Sequence, residues 1–71
     1  NVKSFGLEKA LTGPVVRGDV ATVRKHLEAL EGDQAAREVY AVLGKQILVL
    51  AARQGLPPGR VRALKRLLEG R

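Results

Sequence analysis

The stretch QAAREVYAVLGKQILVLAARQ, residues 34–54, decides the fold. It is long enough for about six helical turns. Its apolar side chains cover well over half of the helix circumference, whereas a helix that faces water on one side carries a narrower apolar stripe. We therefore expect a central helix that must be enclosed, that the other segments of the chain cover in part, and that leaves apolar surface for a partner. The predicted core and interface residues are Val39, Tyr40, Val42, Leu43, Ile47, Leu48 and Leu50.

A second helix is predicted before the central one, over about residues 20–30. Its apolar residues recur at helical spacing in VATVRKHLEAL. Asp19 precedes it and is predicted to be the N-cap, because a short acidic side chain accepts hydrogen bonds from the free amides of the first turn. Asp33 has the same predicted role at the start of the central helix.

The C-terminal part predicts a turn and one more helix. Gly55 is suited to the left-handed position after a helix, and Leu56 can fold back onto the last turn. Pro57 and Pro58 prevent the central helix from continuing. Residues 58–69 place apolar side chains on one face and basic side chains on the other, which predicts an amphipathic helix.

The N-terminal part predicts the end of a further helix over residues 2–11, interrupted by Gly6. Thr12, Gly13 and Pro14 are expected to break it, because a residue before proline is pushed out of the α region. Pro14 is then expected to open a fresh turn as a first helical residue. The fold class predicted for residues 1–71 is a single all-α domain of four helical elements around the central helix.

Composition limits the function. A chain of 71 residues buries a core that is only just sufficient. Without cysteine and with one histidine, neither a disulfide nor a Cys/His zinc site can supplement it, and we predict no metal site. Oligomerisation or a longer parent chain is the expected support, and the absence of methionine also suggests a piece of a longer protein. No apolar run reaches membrane-spanning length, so a soluble, cytoplasmic setting without a membrane partner is expected.

The net charge of +6 is concentrated at the C-terminal end. Residues 1–52 hold seven Lys and Arg against six Asp and Glu, whereas residues 53–71 hold six against one. This basic cluster is open to three interpretations: a solvated helix face, a contact with an acidic partner or cofactor phosphate, or a nucleic-acid contact. One tyrosine and one phenylalanine leave little for base stacking. The cluster consists of Arg60, Arg62, Lys65 and Arg66.

One segment concentrates residues with chemical potential. Residues 11–19, LTGPVVRGD, are predicted to form a loop, while no Cys/His pair and no glycine-rich phosphate motif occurs in the chain. The alternative is that these residues have structural roles. Asp19 would only cap a helix, Arg17 would pair with Asp19 or be solvated, and Gly13, Pro14 and Gly18 would only shape the turn. His26 is expected at the rim of an apolar face, and Lys45 is expected to be solvated. The candidate site residues are Thr12, Gly13, Pro14, Arg17, Gly18 and Asp19.

The run ALTGPVVRGDVATVRKHLEAL, residues 10–30, together with the Val-Tyr pair and the Gly-Leu-Pro turn, resembles a known family. It is similar to the C-terminal helical domain of predicted NAD(P)-dependent oxidoreductases, in which a Rossmann-like domain precedes a domain of unknown function. The fold of that helical domain looks like the C-terminal domain of phosphogluconate dehydrogenase and is similar to that of pyrroline-carboxylate reductase.

The resemblance implies a role in a two-domain parent chain. There the helical domain forms a homodimer and closes one side of the cleft in which the nicotinamide meets the substrate. NAD(P) would be bound mainly by the Rossmann domain, which these 71 residues lack, so the chain is not expected to be catalytic alone. Thr12 would face the cleft as a hydrogen-bond donor, and Arg17 would pair with a substrate carboxylate. The competing hypothesis is a small basic nucleic-acid-binding module.

Overall fold

The computed structural model describes residues 12–70, which form helices joined by short turns. Residues 12–17 are helical and are called α1; α2 is Val20–Ala29, α3 is Gln34–Arg53 and α4 is Pro58–Leu68. No strand occurs in this part of the chain. The predicted all-α class is confirmed. The helix predicted over residues 2–11 lies outside the described residues.

The predicted break at Thr12, Gly13 and Pro14 is wrong, since all three residues are helical. Pro14 is accordingly not the first helical residue. A proline disfavours the α region for the preceding residue partly through that residue's Cβ, and Gly13 has none. The loop predicted over residues 11–19 therefore reduces, within the described residues, to a turn at Gly18 and Asp19.

The corner between α1 and α2 is a Schellman turn, in which two amides fold back onto carbonyls of the last helical turn. The amide of Gly18 donates to the Val15 carbonyl at 3.1 Å, and that of Asp19 to the Pro14 carbonyl at 2.8 Å. Gly18 has a φ of 71°, in the left-handed region that favours glycine. The Asp19 carboxylate then accepts from the backbone amide of Thr22 at 3.2 Å and from its hydroxyl at 2.7 Å. Its predicted N-cap role is confirmed.

The ends of α3 follow the sequence prediction. The Asp33 carboxylate accepts from the amide of Ala36 at 3.1 Å, as an N-cap does. At the other end, Gly55 has a φ of 105°. The amide of Leu56 donates to the Ala51 carbonyl at 3.0 Å, which completes the predicted Schellman turn.

The core lies between α4 and the helices before it. α4 packs against both α3 and α2, and α3 contributes one face, with Tyr40 and Leu48 among its buried residues. The opposite face of α3 remains open, so the rest of the chain covers this helix only in part, as expected. The buried hydrophobic cluster consists of Val15, Val23, Leu27, Tyr40, Leu48, Leu64 and Leu68.

Candidate functional site

The predicted site residues of the α1–α2 corner divide into an exposed and a buried group. The Arg17 side chain is 65% exposed, and its Nη2 lies 3.6 Å from Oδ2 of Asp19. A Cβ placed on Gly13 would lie 3.0 Å from Nη1 of Arg17, so the guanidinium lies over Gly13. Gly13, Arg17 and Asp19 therefore form a surface cluster, and Thr12, the residue before Gly13, is exposed as well.

Pro14 and Gly18 are buried and leave almost no surface for a ligand. Gly18 is covered by Leu56 and Arg60, and Nη1 of Arg60 donates to its carbonyl at 2.9 Å. The prediction that Pro14 and Gly18 face a cleft is therefore corrected in favour of the alternative, that both residues shape the corner. Arg60, predicted as part of a basic cluster, holds this corner against the start of α4.

The electrostatics of the corner favour a charged Asp19. The hydrogen bond from the Thr22 hydroxyl, the Thr22 amide and the neighbouring Arg17 guanidinium hold the pKa of Asp19 below its usual value. The carboxylate therefore stays ionised at neutral pH and suits the roles of helix cap and partner of Arg17. Arg17 can still donate to an additional anion, since most of its side chain is exposed.

A second candidate site is the open face of α3, which we call the outer stripe. Its five large apolar residues are between 38% and 59% exposed. Tyr40 and Leu48 were predicted as interface residues, but they are 1% and 4% exposed and belong to the core; Ile47 is half-buried against that core. The outer stripe consists of Val39, Val42, Leu43, Val49 and Leu50.

The members of the outer stripe share one helix face. At about 100° per residue its members fall within an arc of roughly 120°. Gln46 lies at the centre of this arc and Arg53 within it, and both are exposed. Glu38 borders the stripe, since it lines a shallow depression together with Val39 and Val42. Val49 was not among the predicted interface residues, although its spacing of seven residues from Val42 places it on the same face.

Among the described residues, one polar contact between side chains reaches the core, and it joins α2 to α3. The hydroxyl of Tyr40 lies 2.9 Å from Nδ1 of His26, and the two rings are nearly perpendicular, at 83°. Burial raises the pKa of Tyr40 to about 12. His26 is half-buried, in agreement with its predicted place at the rim of an apolar face, and its contact with Tyr40 gives it a structural role.

The titration of Tyr40 tests this burial. Because its pKa in the folded chain, about 12, is above the ordinary tyrosine value of 10.0, the protein is stabilised below pH 10 and loses this stabilisation as the pH rises towards 12. Tyr40 is the only tyrosine and there is no tryptophan, so tyrosinate absorbance reports this single group. A titration midpoint near 10.0 in a chain that is still folded by circular dichroism would contradict the buried position.

A groove of 390 Å³ runs between α3 and α4. Its apolar lining includes Val49, Ala52 and Val61, and its charged lining residues, Lys45, Arg53 and Lys65, are all basic. Lys45 is exposed, as predicted. Such a lining suits an anion that carries an apolar group. On the outside of α4, Arg62 and Arg66 are exposed as well.

Within residues 12–70, no three His, Cys, Asp or Glu side chains lie close enough together to hold a metal ion. None of the helices in the same range combines the length and apolar character needed to cross a membrane.

These features define a small all-α domain with one apolar helix face open to solvent. Residues 1–47 match the family described as Domain of unknown function (DUF2520). The chain belongs to this family. The matched segment includes the α1–α2 corner and the first part of α3. Comparison with curated proteins found no match, and comparison with solved structures found none either.

Proposed function

We propose that this chain is the self-association and substrate-side domain of an NAD(P)-dependent oxidoreductase. The observation that supports self-association is the outer stripe. The proposal gives the two candidate sites separate roles: the outer stripe binds a second copy, and the exposed part of the α1–α2 corner faces a cleft formed with a cofactor-binding domain.

The outer stripe supports self-association on energetic grounds. Apolar surface removed from water contributes about 25 cal/mol per Å², and a contiguous exposed apolar patch with polar borders is typical of an interaction site. All five stripe residues lie on one helix, which a second helix can cover along its length. Both protomers would then bury the face that is open in the isolated chain.

The α1–α2 corner supports the substrate-side role. Thr12 and Arg17 are exposed, and the backbone that carries them is fixed by the Schellman turn and by the hydrogen bond from Arg60 to Gly18. A rigid backbone that presents a hydroxyl and a guanidinium suits the binding of a substrate carboxylate. The sequence run that resembles the oxidoreductases, residues 10–30, contains this corner.

Catalysis itself is assigned to the whole parent protein. NAD(P) would be bound by its Rossmann-like domain, and this chain would supply one wall of the cleft. We expect the full-length natural protein to bind NADPH in a fluorescence titration, whereas the 71-residue chain does not. A full-length protein that binds neither NADPH nor NADH would overturn the oxidoreductase part of the proposal.

Self-association is tested by sedimentation at low and high salt. Dimers held by apolar burial are expected to persist between about 0.1 and 1 M salt, where ionic contacts are screened. Leu50→Glu places a charge on the outer stripe and should give monomers. The matched control is Ala21→Glu, which adds the same charge to an exposed position of α2 and should leave the dimer intact.

The competing nucleic-acid hypothesis has a distinct signature in the same experiment. A chain that binds DNA through Arg62, Lys65 and Arg66 would lose affinity steeply with salt, because phosphate binding releases counterions. If the chain is monomeric at all concentrations and binds a DNA duplex in this manner, self-association is wrong and the basic module is the better description.

A further inference from the structure

We propose that two copies pair antiparallel through α3, with Gln46 of each copy next to the twofold axis. This inference rests on the proposed self-association and adds its geometry. It follows from the positions of the apolar and charged residues along the outer stripe.

Four of the five apolar residues of the outer stripe are arranged symmetrically about Gln46, and the fifth, Val39, has Arg53 at its mirror position. Leu43 and Val49 lie three residues to either side of it, and Val42 and Leu50 lie four residues to either side. A twofold interface uses the same patch on both subunits, so the patch must match itself when turned around. Antiparallel pairing centred on Gln46 places Val42 opposite Leu50 of the second copy and Leu43 opposite Val49.

The charges at the two ends of the stripe favour the antiparallel direction. Glu38 borders its N-terminal end and Arg53 lies at its C-terminal end, both exposed. Antiparallel pairing brings Glu38 close to Arg53 of the second copy. Parallel pairing would instead place Arg53 against its own equivalent, and like charges that face each other across an interface are unfavourable. The helix dipoles are also better matched when the two helices run in opposite directions.

Gln46 specifies the register of the pair. Its amide has both donors and an acceptor, so two Gln46 side chains next to the axis can hydrogen-bond to each other. A shift along the helix by one turn would place the amide against Leu43 or Val49 without a partner. A single polar residue in an apolar helix contact selects one register in this way, at some loss of stability.

The size of the contact predicts weak association. One helix pair buries less than the roughly 800 Å² per partner of a standard interface. Self-association of the isolated chain is therefore expected at concentrations of about 0.1 mM and above. Disulfide trapping is suited to such a weak dimer, and the chain contains no cysteine that would interfere.

The test uses single cysteines at exposed positions of α3. Gln46→Cys is expected to form a disulfide dimer under mild oxidation, because the two Cα atoms lie near the axis. Val39→Cys is not expected to form a disulfide dimer, since the two copies of residue 39 would lie about 21 Å apart along the helix axis at 1.5 Å per residue. This separation is beyond the roughly 7 Å between Cα atoms that a disulfide spans. A mixture of Val42→Cys and Leu50→Cys should yield the mixed dimer in preference to either symmetric one.

The outcomes separate the geometry from the proposed function. Efficient dimerisation of Val39→Cys, together with a dimer in sedimentation, would show parallel pairing and overturn the geometry while self-association stands. Ala21→Cys is an exposed control on α2. If no stripe variant cross-links faster than this control and the chain sediments as a monomer, both the antiparallel geometry and self-association are wrong. Circular dichroism is the control for folding. Each variant is expected to be folded, because all substituted side chains are exposed.

Discussion

Replacing Leu64 with Ala is expected to lower the free energy of unfolding by about 2–5 kcal/mol, the usual range for a buried leucine truncated to alanine. Leu64 is 0% exposed and belongs to the buried cluster of a chain with few core residues. Domains of this size have a total stability of only about 4–10 kcal/mol. The variant should therefore unfold at a much lower urea concentration, as followed by far-UV circular dichroism.

The matched control is the same substitution on the outer stripe. Leu50 is 54% exposed, so Leu50→Ala should change the stability of the monomer by no more than about 0.5 kcal/mol. Both variants are measured at low protein concentration, where self-association does not contribute. Equal effects of the two substitutions would contradict the placement of Leu64 in the core and of Leu50 on an exposed face.

Replacing Gly18 with Ala is expected to be the most damaging exchange in the turns, at about 2–4 kcal/mol. A φ of 71° in a residue with a Cβ accounts for about 1–2 kcal/mol of this. The new Cβ would also lie 2.7 Å from Cδ of Arg60 and 2.8 Å from Cδ1 of Leu56. Both contacts are too short, so Arg60 must shift as well as Leu56, and this shift disturbs the hydrogen bond from Arg60 to the Gly18 carbonyl.

Gly55 is the control that separates backbone strain from crowding. Its φ of 105° is also positive, but a Cβ there would meet nothing within 4 Å. Gly55→Ala should therefore lower the free energy of unfolding only by the backbone contribution, about 1–2 kcal/mol. If both variants lose the same stability in urea denaturation, the contact between the α1–α2 corner and α4 is looser than the structure indicates.

The turns and caps were largely predictable from the sequence because their causes are local. Asp19 and Asp33 each precede a helical pattern, and both cap a helix by accepting from an amide three residues later. Gly55 followed by Leu56 indicated the end of α3, again from neighbouring residues alone. The exception was Gly13 before Pro14, where the usual steric restriction was applied to a residue without a Cβ.

Contacts between distant residues were not predictable. α3 is apolar on most of its circumference, so its sequence does not distinguish Leu48, which is buried, from Leu50, which is exposed. That division depends on where α2 and α4 lie. The same holds for the bond between Arg60 and Gly18, which are 42 residues apart, and for the contact between His26 and Tyr40. The roles proposed for Thr12 and Arg17 in a cleft stay predictions.

The position of α3 in the chain affects how fragments of this family should be designed. The segment related to the family ends at residue 47, in the middle of α3. A polypeptide cut there would retain Val15, Val23 and Tyr40 but lose Leu48, Leu64, Leu68 and the guanidinium that fixes the corner. The unit that folds thus extends beyond the matched segment, and a chimera that borrows this domain needs the last helix as well.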